Sequence, residues 1–282
     1  MLNIQDNCRF SAFLWVLMLT LMGLSACDSL QKDITIDLPP YAPEIVVECY
    51  LEHGKPYRLL LTESTNYFGA VELPPLPQAK VSIVHNGVEE VLKFESGFDA
   101  NSRKFYNYVG STIVDSTAGG DYALKVEDVL KGRLVTGVTS FLPAPQLDTI
   151  EARFRDKDTT AFLLTKFQDN DSDKPNYYRI IINKDSLGGE LTTEFSFEGR
   201  FKTGNQITIG TGYDFRSEDT VFVAIYHIKR DYYDFLETIE DARQANGNPF
   251  AQPAVVKSTI TGGVGVFTAL AYARQRIILK KE

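Results

Sequence analysis

The sequence predicts an all-β fold of two antiparallel β-sandwich-like domains, with one amphipathic helix in the second domain. Short runs of β-branched and alternating apolar residues recur along the chain and are closed by turn residues. The dipeptide Asn86-Gly87 lies between two such runs, which is a strong hairpin signal. A helical spacing of apolar residues stands out in residues 231–245.

The first domain is predicted at residues 44–143. Its clearest hairpin joins residues 80–85 to residues 88–94 through Asn86-Gly87. The strands predicted in this domain are 45–51, 57–62, 80–85, 88–94, 104–109, 121–126 and 134–141. This spacing of short strands indicates an antiparallel sandwich.

A domain boundary is predicted where Pro143 and Pro145 interrupt the chain. The second domain, residues 146–282, continues with further strand-like runs. The strands predicted there are 147–155, 161–167, 177–183, 191–201, 220–227, 254–260, 264–273 and 276–279.

The predicted helix, residues 231–245, has its apolar side chains on one face. Those side chains are Tyr232, Phe235, Leu236, Ile239 and Ala242. Asp231 is a suitable N-cap, and Asn246-Gly247 supplies the stop. We expect the aromatic stripe to pack on a sheet, with a binding role as the alternative.

The first 26 residues have the layout of a secretory signal peptide, with Arg9 in a short polar segment and an apolar run at residues 12–24. This run is shorter than the about 20 residues that a membrane-spanning helix needs. Leu24-Ser25-Ala26-Cys27 resembles the bacterial lipobox, which implies cleavage before Cys27 and acylation of its thiol. The alternative is an ordinary signal peptide with a chance cysteine, which leaves a soluble periplasmic protein.

A lipidated Cys27 anchors the mature chain to a membrane without a transmembrane helix, because several acyl chains bind durably. Residues 27–43 are proline-rich at their end and are predicted to be a tether. Cys8 leaves with the signal peptide and lipid occupies the thiol of Cys27, so the mature chain is predicted to have no cysteine pair for an intramolecular disulfide. Cys49 lies in an apolar run and is predicted to be a buried structural thiol.

The charge of the chain excludes nucleic acid as a partner. The formal net charge is −8 at pH 7, which repels phosphate backbones. Lys229-Arg230 and Lys280-Lys281 are isolated basic pairs and do not form a basic stripe.

Two motifs look like ligand sites but depart from the patterns that such sites require. Asp169, Asp171 and Asp173 alternate like the first ligands of a calcium loop, yet Lys174 stands where that loop needs glycine. A solvated loop is the prediction, with weak calcium binding as the alternative. Residues 262–265 are glycine-rich but precede a strand-like run, so the glycines are interpreted as allowing a bulge or close strand packing.

No catalytic, cofactor-binding or metal-ligating residue is predicted, and the chain is interpreted as non-enzymatic. His53, His85 and His227 have no His or Cys partner at metal-ligand spacing, and no G-x-S-x-G motif occurs. Two carboxylates brought together by folding could still form a hydrolase pair.

An aromatic-rich stretch offers a possible ligand surface. Its residues are Phe98, Phe105, Tyr106 and Tyr108, with Tyr67 and Phe68 upstream. Exposed rings stack on sugars or peptides, whereas rings in strands also serve ordinary cross-strand packing. The stretch supports the hypothesis of a glycan- or peptide-binding module, provided that its rings are exposed.

Most of the mature chain resembles a family of Bacteroidota envelope lipoproteins known as domain of unknown function number 4249. The motifs that carry the resemblance are residues 37–48, residues 76–81, residues 174–179 and residues 246–250 followed by 262–267. Residues 77–83 and 120–124 also resemble transthyretin-like and immunoglobulin-like sandwiches. The resemblance implies lipid anchoring in the outer membrane beside a TonB-dependent receptor, and it carries no residue roles.

Three functional hypotheses follow. The first is an accessory lipoprotein that assists a TonB-dependent outer-membrane receptor or binds its cargo. The second is a cell-surface glycan- or peptide-binding module. The third is a carboxylate-dependent hydrolase. Whether the anchor faces the periplasm or the cell surface stays open.

Overall fold

The predicted all-β fold is confirmed. The computed structural model describes Trp15 and residues 41–66, 72–155, 159–169, 174–200, 202–245 and 255–281. In chain order the strands are β1 (Ile45–Glu52), β2 (Pro56–Glu63), β3 (Lys80–His85), β4 (Val88–Val91), β5 (Lys93–Asp99), β6 (Lys104–Ile113), β7 (Tyr122–Asp128), β8 (Arg133–Thr139), β9 (Gln146–Phe154), β10 (Thr160–Gln168), β11 (Tyr177–Lys184), β12 (Leu191–Glu198), β13 (Lys202–Thr203), β14 (Gln206–Gly210), β15 (Phe215–Arg216), β16 (Thr220–Ile228), β17 (Ile260–Thr261) and β18 (Val264–Ile278). The helix α1 spans Arg230–Ala245.

The strands form three sheets. The largest has eight strands in the order β12-β11-β16-β18-β1-β2-β6-β5. Its one parallel pair among the described strands is β1 with β18. A five-stranded sheet has the order β17-β8-β7-β3-β4, and a second one consists of β13, β14, β10 and β15, with β9 paired to β10.

Successive side chains of β1 point to opposite faces of the sheet, so the two faces of this strand lie in different environments. Val47, Cys49 and Leu51 are fully buried on one face, while Glu48 and Tyr50 lie partly buried on the other. Burial raises the pKa of the Cys49 thiol well above its ordinary value, which agrees with the predicted structural role of this residue.

The predicted domain boundary at residues 143–146 lies between β8 and β9 and stays a prediction. One hydrophobic cluster is built mainly from residues 45–141, and a second from residues 147–279. The eight-stranded sheet nevertheless crosses the boundary, because β18 pairs with β1 on one side and with β16 on the other. Residues 43–282 form one compact unit.

One predicted strand, residues 88–94, is wrong because it consists of two strands in different sheets. β4 pairs with β3, whereas β5 pairs with β6. Leu92 marks the crossing: it is buried, and its N–H donates to the Val81 carbonyl at 2.8 Å. The pattern of residues along the chain does not reveal where a strand ends in one sheet and the next begins in another. The sequence was therefore interpreted as a single strand.

Other predicted strands also differ from the structure. Residues 264–273 and 276–279 are one strand, β18, which changes partner after Leu270. The strand predicted at 254–260 is wrong for residues 255–259, where the Thr259 hydroxyl accepts from the Phe267 N–H at 2.7 Å instead. Residue 254 lies outside the described residues. β12 ends at Glu198, before the predicted end at residue 201, which also lies outside them.

The predicted helix is confirmed within one residue of its start. Tyr232 and Phe235 are buried, and they pack with Tyr226, Val266 and Leu270 of the eight-stranded sheet. The aromatic stripe of α1 is therefore core and covers part of one face of that sheet.

Candidate functional site

The part of this sheet face that helix α1 leaves open forms a groove of about 390 Å³. The floor is apolar, with Ile181, Phe222, Ala224 and Leu270 on neighbouring strands. Alternation along each strand places these side chains on the same face as the residues beneath the helix. The groove is thus an uncovered continuation of the sheet–helix core.

Charged side chains surround the floor. The basic residues that line the groove are Lys55, Arg103, Lys104, Arg179, Arg243 and Arg274. The acidic residues that line it are Glu52 and Glu194. Basic residues therefore predominate here, although the whole chain carries a net charge of −8. The charged residues that line the groove are thus mainly positive, whereas the net charge of the chain is negative.

Three of the six cations are held by carboxylates of the protein. Lys55 Nζ lies 3.1 Å from Glu52 and 3.2 Å from Asp99. Lys104 Nζ lies 3.3 Å from Glu48 and sits 4.3 Å from the centre of the Tyr50 ring. These pairs neutralise one wall of the groove and fix the position of the Tyr50 ring.

Arg179 is the third paired cation and connects the groove to the helix. Its guanidinium contacts Glu194 and donates to the Tyr232 hydroxyl at 2.6 Å. Burial raises the pKa of Tyr232 to about 12 despite the nearby Arg179 cation, so this phenol stays protonated at neutral pH. Tyr50 packs edge to face on Tyr232 at 6.1 Å.

Arg274, on β18, is bound differently. Its Nη2 donates to the Tyr226 hydroxyl at 3.2 Å, and its guanidinium lies 4.5 Å from the centre of the Tyr272 ring. Within the described part of the chain, no carboxylate lies within ion-pair distance, and the buried Nε has no hydrogen-bond partner. Arg274 therefore brings to the groove wall a positive charge that has no carboxylate in ion-pair contact among the described residues.

The aromatic stretch divides between core and surface. Tyr108 is buried, and its hydroxyl donates to the Leu76 carbonyl at 2.5 Å. Phe98 and Phe105 are 48% and 69% exposed, with ring centres 4.8 Å apart. Tyr106 lies under the Arg58 guanidinium. Tyr67 and Phe68 lie outside the described residues.

The glycine-rich segment is confirmed as a site of close strand packing. Gly265 has φ 130°, and a Cβ at this position would lie 2.0 Å from the Val47 carbonyl oxygen. Gly262 has φ 87°, and its Cβ would lie 2.1 Å from the Leu134 carbonyl oxygen. Only glycine has both the backbone freedom and the small size that this packing needs.

Asp169 is the one aspartate of the calcium-like motif that lies in the described residues. It is buried and accepts hydrogen bonds at 2.7 Å from Asn176 and from the Tyr178 hydroxyl. Its carboxylate is thus engaged inside the fold. Asp171 and Asp173 lie outside the described residues.

The three histidines occupy separate places. His53 is exposed and contacts Ser116, His85 stacks on the Tyr122 ring, and His227 is buried against the Pro143 carbonyl. Over the described ranges, no three His, Cys, Asp or Glu side chains are grouped so that they could hold a metal ion.

The signal peptide and Cys27 lie outside the described residues, as does most of the tether. No helix among the described residues has the length and apolarity to span a bilayer.

Together these features define an all-β protein with a cation-lined groove on one sheet face. The profile of the family described as domain of unknown function DUF4249 matches residues 31–276, so the chain belongs to this family. This confirms the resemblance seen in the sequence at the level of the family. The comparison with curated proteins gives no match.

Several solved structures are weakly similar. A DUF4785 family protein from Legionella pneumophila has 9% identity and a TM-score of 0.23, over 64% of this chain and 52% of its own. Dimeric latent PorU from Porphyromonas gingivalis has 13% identity and a TM-score of 0.22, over 71% and 20%. A β-glucuronidase from Parabacteroides merdae has 12% identity and a TM-score of 0.19, over 67% and 23%. The chain thus spans about half the length of the first and about a fifth of the other two.

Sequence reasoning did not identify the groove residues. Arg274 and Arg179 are single charges within strands, and a charge in a strand usually faces solvent. The available signal was register: Leu270, Tyr272 and Arg274 alternate in one run, so the arginine continues an apolar face. That signal becomes useful only when the neighbouring strands are known.

Proposed function

We propose that this chain is a lipid-anchored protein of the bacterial cell envelope that binds a ligand in the sheet groove and does not catalyse a reaction. The observation that carries the proposal is the groove itself. Its volume of about 390 Å³ is in the range of small-molecule sites, about 300–1,000 Å³. It combines an apolar floor with converging polar groups, as such sites do.

Binding is favoured over hydrolysis by the state of the two acidic residues in the groove. Glu52 is held by Lys55, and Glu194 is held by Arg179. A carboxylate-dependent hydrolase needs one carboxyl group that can donate a proton to the leaving group. Neither glutamate is arranged for that task, whereas both help to position cations at a ligand.

The groove can be tested with a matched pair of substitutions. Leu191 lines the groove and is 50% exposed, while Leu134 lies outside it and is 51% exposed. We expect Leu191→Trp to obstruct the groove and Leu134→Trp to leave it open. Small molecules released by denaturing the full chain, purified from its native membrane, are identified by mass spectrometry. A ligand lost in the first variant and kept in the second supports the proposal, and identical ligand contents contradict it.

The anchor is proposed from the lipobox, Leu24-Ser25-Ala26-Cys27. Mass spectrometry of the native N-terminal peptide tests it. We expect an acylated Cys27 at the N-terminus and, in Cys27→Ala, loss of the membrane-bound form. An intact precursor or an unmodified Cys27 in the native protein contradicts the anchor.

Assistance to a TonB-dependent outer-membrane receptor is the cellular role we propose, because the family resemblance in the sequence implies placement in the outer membrane beside such a receptor. Crosslinking in cells, followed by affinity purification of the full chain, tests this role. We expect a TonB-dependent receptor to be enriched with the wild type and depleted with Cys27→Ala. Enrichment of no such receptor with the wild type contradicts it.

A second candidate function is recognition of a glycan by the exposed rings of Phe98 and Phe105. Aromatic rings on a surface stack on sugars. A glycan array probed with the full chain tests this candidate, with Phe105→Ala as the variant and Val88→Ala, at a 72% exposed site, as the control. Binding that survives Phe105→Ala rules it out.

A further inference from the structure

We infer that the groove binds a small organic anion with an apolar body, and that Arg274 is the main contact of its charged group. The inference rests on the proposed ligand-binding role and specifies the chemistry of the ligand. It is supported by the distribution of charge, by the unsatisfied bonding capacity of Arg274 and by the apolar floor.

The distribution of charge is the first support. Six basic and two acidic residues line the groove, although acidic residues outnumber basic ones by 37 to 29 in the whole chain. A concave site lined by one sign of charge concentrates ligands of the opposite sign. The cations of the groove that carboxylates of the protein do not compensate therefore favour an anionic ligand.

Bonding capacity is the second support. Lys55, Lys104 and Arg179 already contact carboxylates of the protein. Arg103 on the β5–β6 hairpin and Arg274 on β18 contact none among the described residues, and Arg243 at the end of α1 lies 4.0 Å from Glu240. Three elements thus bring three weakly compensated guanidinium groups to one cavity.

Arg274 is the best placed of the three. It is partly buried, whereas Arg103 and Arg243 are exposed, so water screens its charge least. Its Nη2 uses the Tyr226 hydroxyl and its face packs near Tyr272, which fixes the plane of the guanidinium. The remaining N–H groups can then donate to two oxygens of one oxoanion, the geometry in which arginine binds most strongly.

The floor is the third support. Ile181, Phe222 and Leu270 present apolar surface next to these cations. A bare inorganic anion leaves this surface in contact with water, whereas an aromatic or aliphatic body covers it. The site thus matches a ligand with both a charged group and an apolar part.

Three probes separate these contributions. Naphthalene-2-sulfonate carries an oxoanion on an apolar body, naphthalene-2-sulfonamide has the same body without the charge, and inorganic sulfate has the charge without the body. Each is titrated calorimetrically into the full chain in detergent at about 0.15 M salt, with the same titration into detergent as background. We expect naphthalene-2-sulfonate to bind at least about tenfold more tightly than either of the others.

Two variants locate the anion. Arg274→Met keeps an apolar stem of similar length, and Arg103→Met removes an exposed charge. The control is Arg216→Met, at an exposed site on β15 of another sheet. We expect about tenfold weaker sulfonate binding in Arg274→Met, a smaller loss in Arg103→Met, and no change in the control. Sulfonamide binding should stay the same in all three variants.

The outcomes distinguish the inference from the proposed function. If neither naphthalene probe binds, the inference is wrong, and the ligand-binding role fails with it only if Leu191→Trp also keeps the ligand content of Leu134→Trp. If both bind equally, the groove binds ligands but the inference on charge is wrong. Sulfate binding as tightly as the naphthalene sulfonate contradicts the apolar part. Unchanged sulfonate binding in Arg274→Met, with thermal unfolding showing that the variant is folded, overturns the assignment of the cation.

Discussion

The side-chain amide of Asn107 forms two hydrogen bonds with the backbone of Leu61. Its Oδ1 accepts from the Leu61 N–H at 2.8 Å, and its Nδ2 donates to the Leu61 carbonyl at 2.8 Å. Both residues are buried, and the paired register between β2 and β6 extends only from Pro56 to Leu59. Asn107 thus replaces a backbone partner where the two strands separate.

We expect Asn107→Ala to lower the free energy of unfolding by about 3 kcal/mol, because a buried N–H and a buried carbonyl both lose their partner. Urea denaturation measures the change. Asn101→Ala is the control, since Asn101 is exposed in the β5–β6 turn, and its effect should stay within about 0.5 kcal/mol. Equal effects of the two substitutions contradict this account.

Gly265→Ala should destabilise the chain by about 3 kcal/mol or more, because the new methyl group meets the Val47 carbonyl at the β1–β18 pair. Gly204→Ala is the control: Gly204 has φ 62° and nothing within 4 Å of an added Cβ. This control should lower the free energy of unfolding by only about 1–2 kcal/mol, which is the cost of a side chain in a left-handed backbone conformation. Thermal or urea unfolding compares the two, and a smaller effect at Gly265 than at Gly204 disproves the steric explanation.

Arg133 joins two carboxylates and the start of the β-rich unit. Its guanidinium contacts Glu63 and Asp128 at 2.5 Å, and its Nη1 donates to the Pro43 carbonyl at 3.0 Å. Asp128 is buried, so Arg133→Met leaves a buried charge without its cation.

We expect Arg133→Met to lower the free energy of unfolding by about 3 kcal/mol. Arg153→Met removes the cation of an exposed pair with Glu151 and should have a much smaller effect. Denaturant titrations of both variants at low and high salt measure the difference. If Arg133→Met lowers the free energy of unfolding no more than Arg153→Met does, the burial of Asp128 is unimportant.

The burial of His227 leads us to expect that the free energy of unfolding depends on pH. Burial lowers the pKa of its imidazole, although the Pro143 carbonyl and Asp169 both favour the charged form. The unfolded chain then binds a proton at higher pH than the folded chain does. The stabilising contribution of neutral His227 is therefore fully present above the ordinary histidine pKa of about 6.5. It is lost as the pH falls toward the lowered pKa of the folded state.

The measurement is the free energy of unfolding between pH 5 and 8. In His227→Gln the slope on the acidic side should decrease, whereas the control His53→Gln, at an exposed site, should retain the wild-type slope. The slope from one proton cannot exceed about 1.4 kcal/mol per pH unit. An unchanged slope in His227→Gln means that another group is responsible.

Much of the local structure was predictable. The helix was found because Tyr232, Phe235 and Ile239 follow the helical period, and the hairpin at Asn86-Gly87 because this dipeptide adopts the required turn. The change of sheet at Leu92 was not predictable, since residues 88–94 contain no glycine, proline or other turn residue that would divide the run. The sequence left open whether the rings of the aromatic stretch are exposed, because Tyr108 and Phe105 look alike in sequence but differ in burial.

By itself the sequence determined the all-β class, the positions of most strands and the helix. These properties depend on neighbours along the chain. Only the tertiary structure decided that β18 lies between β1 and β16, and that Arg103, Arg243 and Arg274 line one groove. The pairing of distant strands and the packing of a helix on them depend on contacts between residues far apart in the chain, and no local pattern encodes which of many compatible strands will become neighbours.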